Sequence, residues 1–225
     1  AILFMIALLM LFVGRMNILY LVGIIAFGVL GGSMVVLDSP ERISRIESYV
    51  QQVVDIPDEE ILKGNGYQGQ QAQIAIARGS ILGVGIGKSA QRDFLPAPYN
   101  DFIFAIIAEE YGLIGSGLLL MIYVYILFRG LVIAAKKATD TEGTILALGC
   151  TLVISLYAFV NAAVATGLLP VTGLPMPFVS YGGTNMLVAG VLIGIILNIS
   201  KGLSLQKSYS SFAYKHAPKG GYVNG

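Results

Sequence analysis

The residues best able to do chemistry lie in one stretch, PYNDFIFAIIAEEYG, at positions 98–112. It carries the carboxylates Asp101, Glu109 and Glu110 into an apolar run that continues LIGSGLLLMIYVYILF. Asp101 follows the prolines of LPAPYND, which hold the chain extended, so it stands where a helix begins. An acid there satisfies free amides and complements the helix dipole, which is a sufficient structural reason for it. The same amides favour the ionised form and leave an anion at a membrane boundary, where it could accept a proton. On a continuous helix Glu109 falls about 12 Å deeper than Asp101. An acid at that depth is costly, and either pairs within the protein or lines a wet cavity. The sequence leaves both open for Glu109 and Glu110.

Other polar features weigh less. Arg42 and Arg45, in SPERISRIESYVQQVV, fall on one face of a helix that Ser39 caps and Pro40 opens. GIGKS at 85–89 resembles a phosphate loop, but the pattern needs glycine at position 82, which is leucine. A simple turn is the better reading there, with close backbone approach to a phosphate as the alternative. Cys150 lies in an apolar run and reads as a packing residue. His216 and the NIS at 198–200 carry no chemistry in this reading.

The elements that position these groups must be membrane helices. The chain of 225 residues is 56% hydrophobic and 12% charged, with 28 glycines and net charge +1. Its mean hydropathy is +0.77. This composition excludes an ordinary soluble domain and gives no basis for a nucleic-acid partner. Apolar runs place a span at 1–13, truncated at its start, and others near 18–36, 102–128, 145–167 and 185–200. The span at 102–128 is too long for one bilayer, which predicts a protruding first part or a bend near Gly112, Gly115 and Gly117. Arg15, Arg129, Lys136, Lys137 and Lys201 fall on one side of five crossings, which is therefore cytoplasmic. The 37–101 loop and the 168–184 loop then face outward. Within the first, YQGQQAQIAIARGS reads as a short helix ending at Gly79, and DIPDEEILKGNG as an exposed excursion. The segment 202–225 reads as a polar, disordered cytoplasmic tail.

FLPAPYNDFIFAIIAEEYGLIG and TGLLPVTGLPMPFVSYGGTN resemble the two signature loops of the SEDS family, the FtsW, RodA and SpoVE group. SPERISRI and GYQGQQAQIAIARGSILGVGIGKS also fit its large outer loop, and the likeness runs over residues 1–201. The resemblance implies an all-α polytopic membrane protein, with these five helices as the second half of a ten-helix fold. It implies a peptidoglycan glycosyltransferase of the bacterial cytoplasmic membrane that polymerises lipid II. Within the group the loops are most similar to the division branch, FtsW. A RodA-type elongation polymerase and a lipid II carrier are the alternatives. Asp101 carries over as the catalytic residue, and Arg42, Arg45, Ser180 and Tyr181 as substrate contacts. Lys88 and Arg92 join them as cations from the same loop, suited to a departing diphosphate. A divalent cation such as Mg2+ or Mn2+ could share that work, with Asp101 as its ligand instead of a base. The expected partners are lipid II, a class B penicillin-binding protein, other divisome proteins and membrane lipids.

Overall fold

A computed structural model describes residues 2–14, 16–53, 65–95, 99–136 and 141–216. No strand occurs among them. The helices are α1 (Ile2–Val13), α2 (Ile18–Leu37), α3 (Pro40–Val53), α4 (Asn65–Gly79), α5 (Ile103–Lys136), α6 (Thr141–Ala165) and α7 (Gly183–His216), with a 3-10 turn at Gln91–Asp93. Three segments, Ile103–Lys136, Glu142–Ala165 and Gly183–Gly202, are long and apolar enough to cross a membrane. Two shorter apolar helices, Ile2–Val13 and Ile18–Met34, fall where the hydropathy places the remaining spans. Large apolar side chains such as Phe27 and Leu187 stay exposed, an arrangement that suits hydrocarbon and not water. The chain is therefore an all-helical polytopic membrane protein. α7 continues to His216, well past the expected end of the last span at 200 and into the segment read as a disordered tail. No proline interrupts positions 201–216, so nothing in the backbone forces the helix to stop there. The excursion at 54–64, the prolines at 96 and 98, Arg15 and Lys137 lie outside the described residues.

The helices run antiparallel between two ends. Gly14 packs against Ile145 and Gly149 against Met10, so the α1–α2 turn lies at the same end as the α5–α6 connection. Thr144 Oγ1 donates to the Ala134 carbonyl at 3.4 Å, and Gly130 lies against Thr151, which sets the register of α5 against α6. The opposite end, here called the loop face, carries α3, α4 and the 166–182 loop. Tyr49 on α3 donates to the Leu168 carbonyl at 2.9 Å, and Gln73 on α4 meets Gly167.

α5 is two helices joined at a break. Gly112 has φ +69° and ψ −166°, a conformation open to glycine and strained for other residues. The expected bend is therefore present, at the first of the three candidate glycines. It is sharp enough to fold the arms back on each other. Tyr123, in the second arm, donates its hydroxyl to the Pro177 carbonyl, while Ser180 holds Asn100 just before the first arm. Three residues of chain reach at most about 11 Å. In a straight helix Tyr123 would lie about 30 Å from Ile103. The first arm, Ile103–Tyr111, thus rises toward the loop face, and the second, Leu113–Lys136, descends across the membrane. The α5–α6 register puts Gly112 level with the end of α6 and Asp101, through its contact with Asn161, about eight residues or 12 Å below the break. This reverses the expected depths: Asp101 is the sunken acid and Glu109 lies nearer the loop face. Rise per residue gives distance along a helix but not its direction.

Candidate functional site

The break in α5 leaves backbone groups without intrahelical partners, and the 80–91 segment supplies them. Val84 and Gly85 amides donate to the carbonyls of Glu109 and Glu110 at 2.9 and 3.1 Å. Leu113 and Ile114 amides donate to Ser80 and Ile81 carbonyls at 2.9 and 3.3 Å. Such irregular backbone survives in a membrane protein only when polar groups are matched in this way. Backbones come so close that a Cβ on Gly79 would overlap the Ala108 carbonyl, and one on Gly83 the Glu110 carbonyl. The glycines of LGVGIGKS therefore serve a turn packed on α5. The Val84 and Gly85 amides are thereby occupied and not open to a phosphate.

Glu109 completes this junction. It is fully buried and accepts from Ser89 Oγ at 2.5 Å and from the amides of Ala90 and Gln91 at 3.3 Å each. Arg78, at the end of α4, approaches it at 3.6 Å. Of the two readings open for this acid, the geometry selects pairing within the protein. Glu110 is half-buried, and its backbone carbonyl closes the same turn.

Below the junction, the two signature segments are sewn together around Asp101. Asn161 of α6, 1% exposed, donates from Nδ2 to the Asp101 carbonyl at 2.9 Å and to the Leu174 carbonyl at 2.8 Å. Ser180 Oγ donates to the Asn100 carbonyl at 2.6 Å and accepts from the Met176 amide at 2.6 Å. The Tyr181 amide donates to the Tyr99 carbonyl at 2.8 Å. Asn185 Nδ2 donates to the Met176 carbonyl at 3.1 Å and fixes the loop to the start of α7. The Asp101 side chain is half-buried and faces Gly173, where a Cβ would lie 3.5 Å from Asp101 Oδ2. Gly173 has φ +69°, so the backbone favours glycine there, while a Cβ would make only an ordinary contact with the carboxylate.

A groove of about 720 Å³ opens beside these ties, bounded by Tyr99, Ile103, Phe178, Val179, Tyr181 and Met186. Tyr99 and Ile103 flank Asp101 in sequence, although the carboxylate itself turns toward Gly173. Phe178 adopts φ +64°, a strained conformation for a bulky residue, and stands 37% exposed on the wall. Met176, two residues before it, is fully buried in the core instead.

The sequence-predicted residues are only partly assembled. Asp101, Ser180 and Tyr181 come together. Ser180, read as a substrate contact, is 2% exposed with its hydroxyl taken up by backbone on both sides, so it acts as a tie between loops. Tyr181 is 82% exposed on the groove. Tyr99, on the groove, and Asp93 beside it raise the Arg92 guanidinium further above its usual range. Lys88 is exposed on the turn over the break, with no contact to Asp101 among those described. Arg42 and Arg45 fall three apart on α3, and their side chains lie outside the described ones. No group of three or more His, Cys, Asp or Glu side chains converges among the described residues. Among the described residues Asp101 therefore belongs to no cluster of three such ligands.

Asn161 went unnoticed in the sequence. The available signal was an amide inside an apolar span, since polar groups at such depth face the protein interior.

Comparison with known proteins agrees with this architecture. The profile of a family described as cell cycle protein, that of FtsW, RodA and SpoVE, matches residues 1–205. Stage V sporulation protein E of Bacillus subtilis is 40% identical over 193 residues, covering 85% of this chain and 51% of its own. A probable peptidoglycan glycosyltransferase FtsW of Marinobacter nauticus is 40% identical over 195 residues, 85% of this chain and 47% of its own. The peptidoglycan glycosyltransferase MrdB of Escherichia coli K12 is 44% identical over 138 residues, 60% of this chain and 37% of its own. The chain therefore spans about half or less of the length of these relatives. A chain in a solved peptidoglycan synthase complex, described as coordinating polymerization and crosslinking, superposes with TM-score 0.53 at 26% identity, over 79% of this chain and 47% of that one.

Proposed function

From the premise that the chain belongs to the FtsW, RodA and SpoVE family of cell cycle proteins, we propose that it is the second half of a peptidoglycan glycosyltransferase that polymerises lipid II. The observation that carries the reading is the placement of Asp101, held by backbone ties below the loop face and beside an apolar groove.

Arg129, Lys136 and Lys201 gather at the end opposite the loops, and that end is cytoplasmic by the charge rule. The loop face then opens to the outer leaflet, where lipid II is polymerised. A sugar hydroxyl of one lipid II attacks the anomeric carbon of another and expels the lipid diphosphate. Asp101 takes the proton from the attacking hydroxyl. Its carboxylate is half-buried and faces Gly173, next to the residues that bound the groove. The groove bounded by Tyr99, Phe178 and Tyr181 suits the prenyl chain. Arg92 at its rim, with Arg42, Arg45 and Lys88 from the same outer region, supplies cations for the developing charge on the diphosphate. A divalent ion would add charge neutralisation at the diphosphate, with Asp101 as a carboxylate ligand among the described residues.

The partner in this reading is a class B penicillin-binding protein, supported by the solved synthase complex that couples polymerization and crosslinking. Action at the division septum follows from the FtsW-like loops. The test is polymerisation of lipid II by the purified full-length protein with its transpeptidase partner. Asp101→Asn is expected to abolish polymer while folding and partner binding persist. Polymer of normal length from that variant removes Asp101 as the base. Lipid movement across vesicles that disappears with Asp101 assigns a carrier instead.

A further inference from the structure

We infer that Asn161 is the positioning residue that fixes Asp101 for proton transfer and sets the width of the space before its carboxylate; this rests on the reading of Asp101 as the base. Asp101 lies two residues ahead of the first helical residue, so regular helix hydrogen bonding does not fix its carbonyl. That carbonyl is instead gripped from α6, at 2.9 Å, by a side chain 60 positions away. The second hydrogen of the same amide grips Leu174 at 2.8 Å, next to Gly173, the residue that faces Asp101 Oδ2. One planar group thus fastens both the segment that bears the acid and the wall opposite it.

The chemistry of the amide explains why this residue type is suited to the task. Two donors on a short, uncharged, planar group are available only from an asparagine or a glutamine. A lysine or arginine there would bring a cation to the acid and lower its basicity. A serine could hold only one of the two carbonyls. Asn161 Oδ1 is buried with no hydrogen-bond partner among the described residues, so the amide is used there for its donors. Buried polar atoms are seldom left so, and the exceptions include groups kept for a catalytic role.

The test uses the full-length protein in complex with its partner and lipid II as substrate, with turnover expressed per folded molecule. Asn161→Leu removes both donors, and the near-isosteric Asn161→Asp guards against a variant that does not fold. Each is expected to lower kcat at least about tenfold while KM for lipid II stays within about threefold, because a displacement near 1 Å at a reacting group has this kind of cost. A purely structural residue would reduce the yield of folded protein and leave the survivors turning over normally. That result, or an unchanged kcat in both variants, overturns the inference. Asp101→Asn run alongside keeps the two readings apart. If it is inactive while Asn161→Leu is fully active, only the positioning role falls; if it is active, the base assignment falls and takes this inference with it.

Discussion

Replacing Glu109 by leucine probes the junction that holds the broken helix. The substitution removes the acceptor used by Ser89 Oγ and by the amides of Ala90 and Gln91. Ser89 and Gln91 are buried, so their donors have no water to turn to. Each stranded buried donor costs about 1–3 kcal/mol. Against this, losing a fully buried carboxylate returns several kcal/mol of desolvation, about 3 kcal/mol against about 6 for the three donors. The Arg78 contact counts for little, since Arg78 is 47% exposed and such pairs contribute about 0–1 kcal/mol. The net loss is about 3 kcal/mol, and it falls on the 80–91 segment. Local opening of that segment should rise about a hundredfold. The assay is trypsin cleavage at Lys88 and Arg92 in the folded, detergent-solubilised full-length protein, where cleavage follows the open population. Glu109→Gln, which keeps one acceptor in place, should show a much smaller rise. Cleavage of the leucine variant at the parental rate, or equal cleavage in both variants, refutes the view that this carboxylate pins the segment.

Gly112→Ala should cost about 1–3 kcal/mol from the left-handed backbone alone, and more from overlap with the backbone of Ile81 and Gly83; thermal melting and polymerisation should both fall, and a fully active, stable variant would mean the arms of α5 do not fold back. Tyr181→Ala removes an exposed wall of the groove without touching a buried tie. The expected result is a KM for lipid II raised about tenfold, as for loss of one large apolar contact, with kcat little changed; an unchanged KM excludes the groove from substrate binding.

The helices were legible because some twenty apolar residues in a row have few alternatives. α3 and α4 were legible from Ser39, Pro40 and Gly79, which act through local backbone geometry. The bend was legible as a choice among Gly112, Gly115 and Gly117, but not the choice itself. Gly112 is selected by hydrogen bonds to Ser80 and Ile81, which lie in another segment. For the same reason the depths of Asp101 and Glu109 were inverted: spacing along one helix cannot report that the helix turns back. Ser180 was read as a substrate contact, and only the three-dimensional contacts show that its hydroxyl is engaged with Asn100 and Met176. Asn161 escaped because its two partners lie in segments distant in sequence. What the chain writes locally can be read from it, and what two segments settle between them cannot.

The first arm of α5 also constrains the order in which the protein can be assembled. Its nine residues, Ile103–Tyr111, reach about 14 Å, less than half of a hydrocarbon core. It cannot be threaded through the bilayer as a span, and its side chains from Ile103 to Ile106 are buried in the finished protein. During synthesis this short rod must wait for α6 to emerge before Asn161 can fasten Asp101, and for the segment after α6 before Ser180 can fasten Asn100. Asp101 therefore reaches its place only after α6 and the segment that follows it have been made.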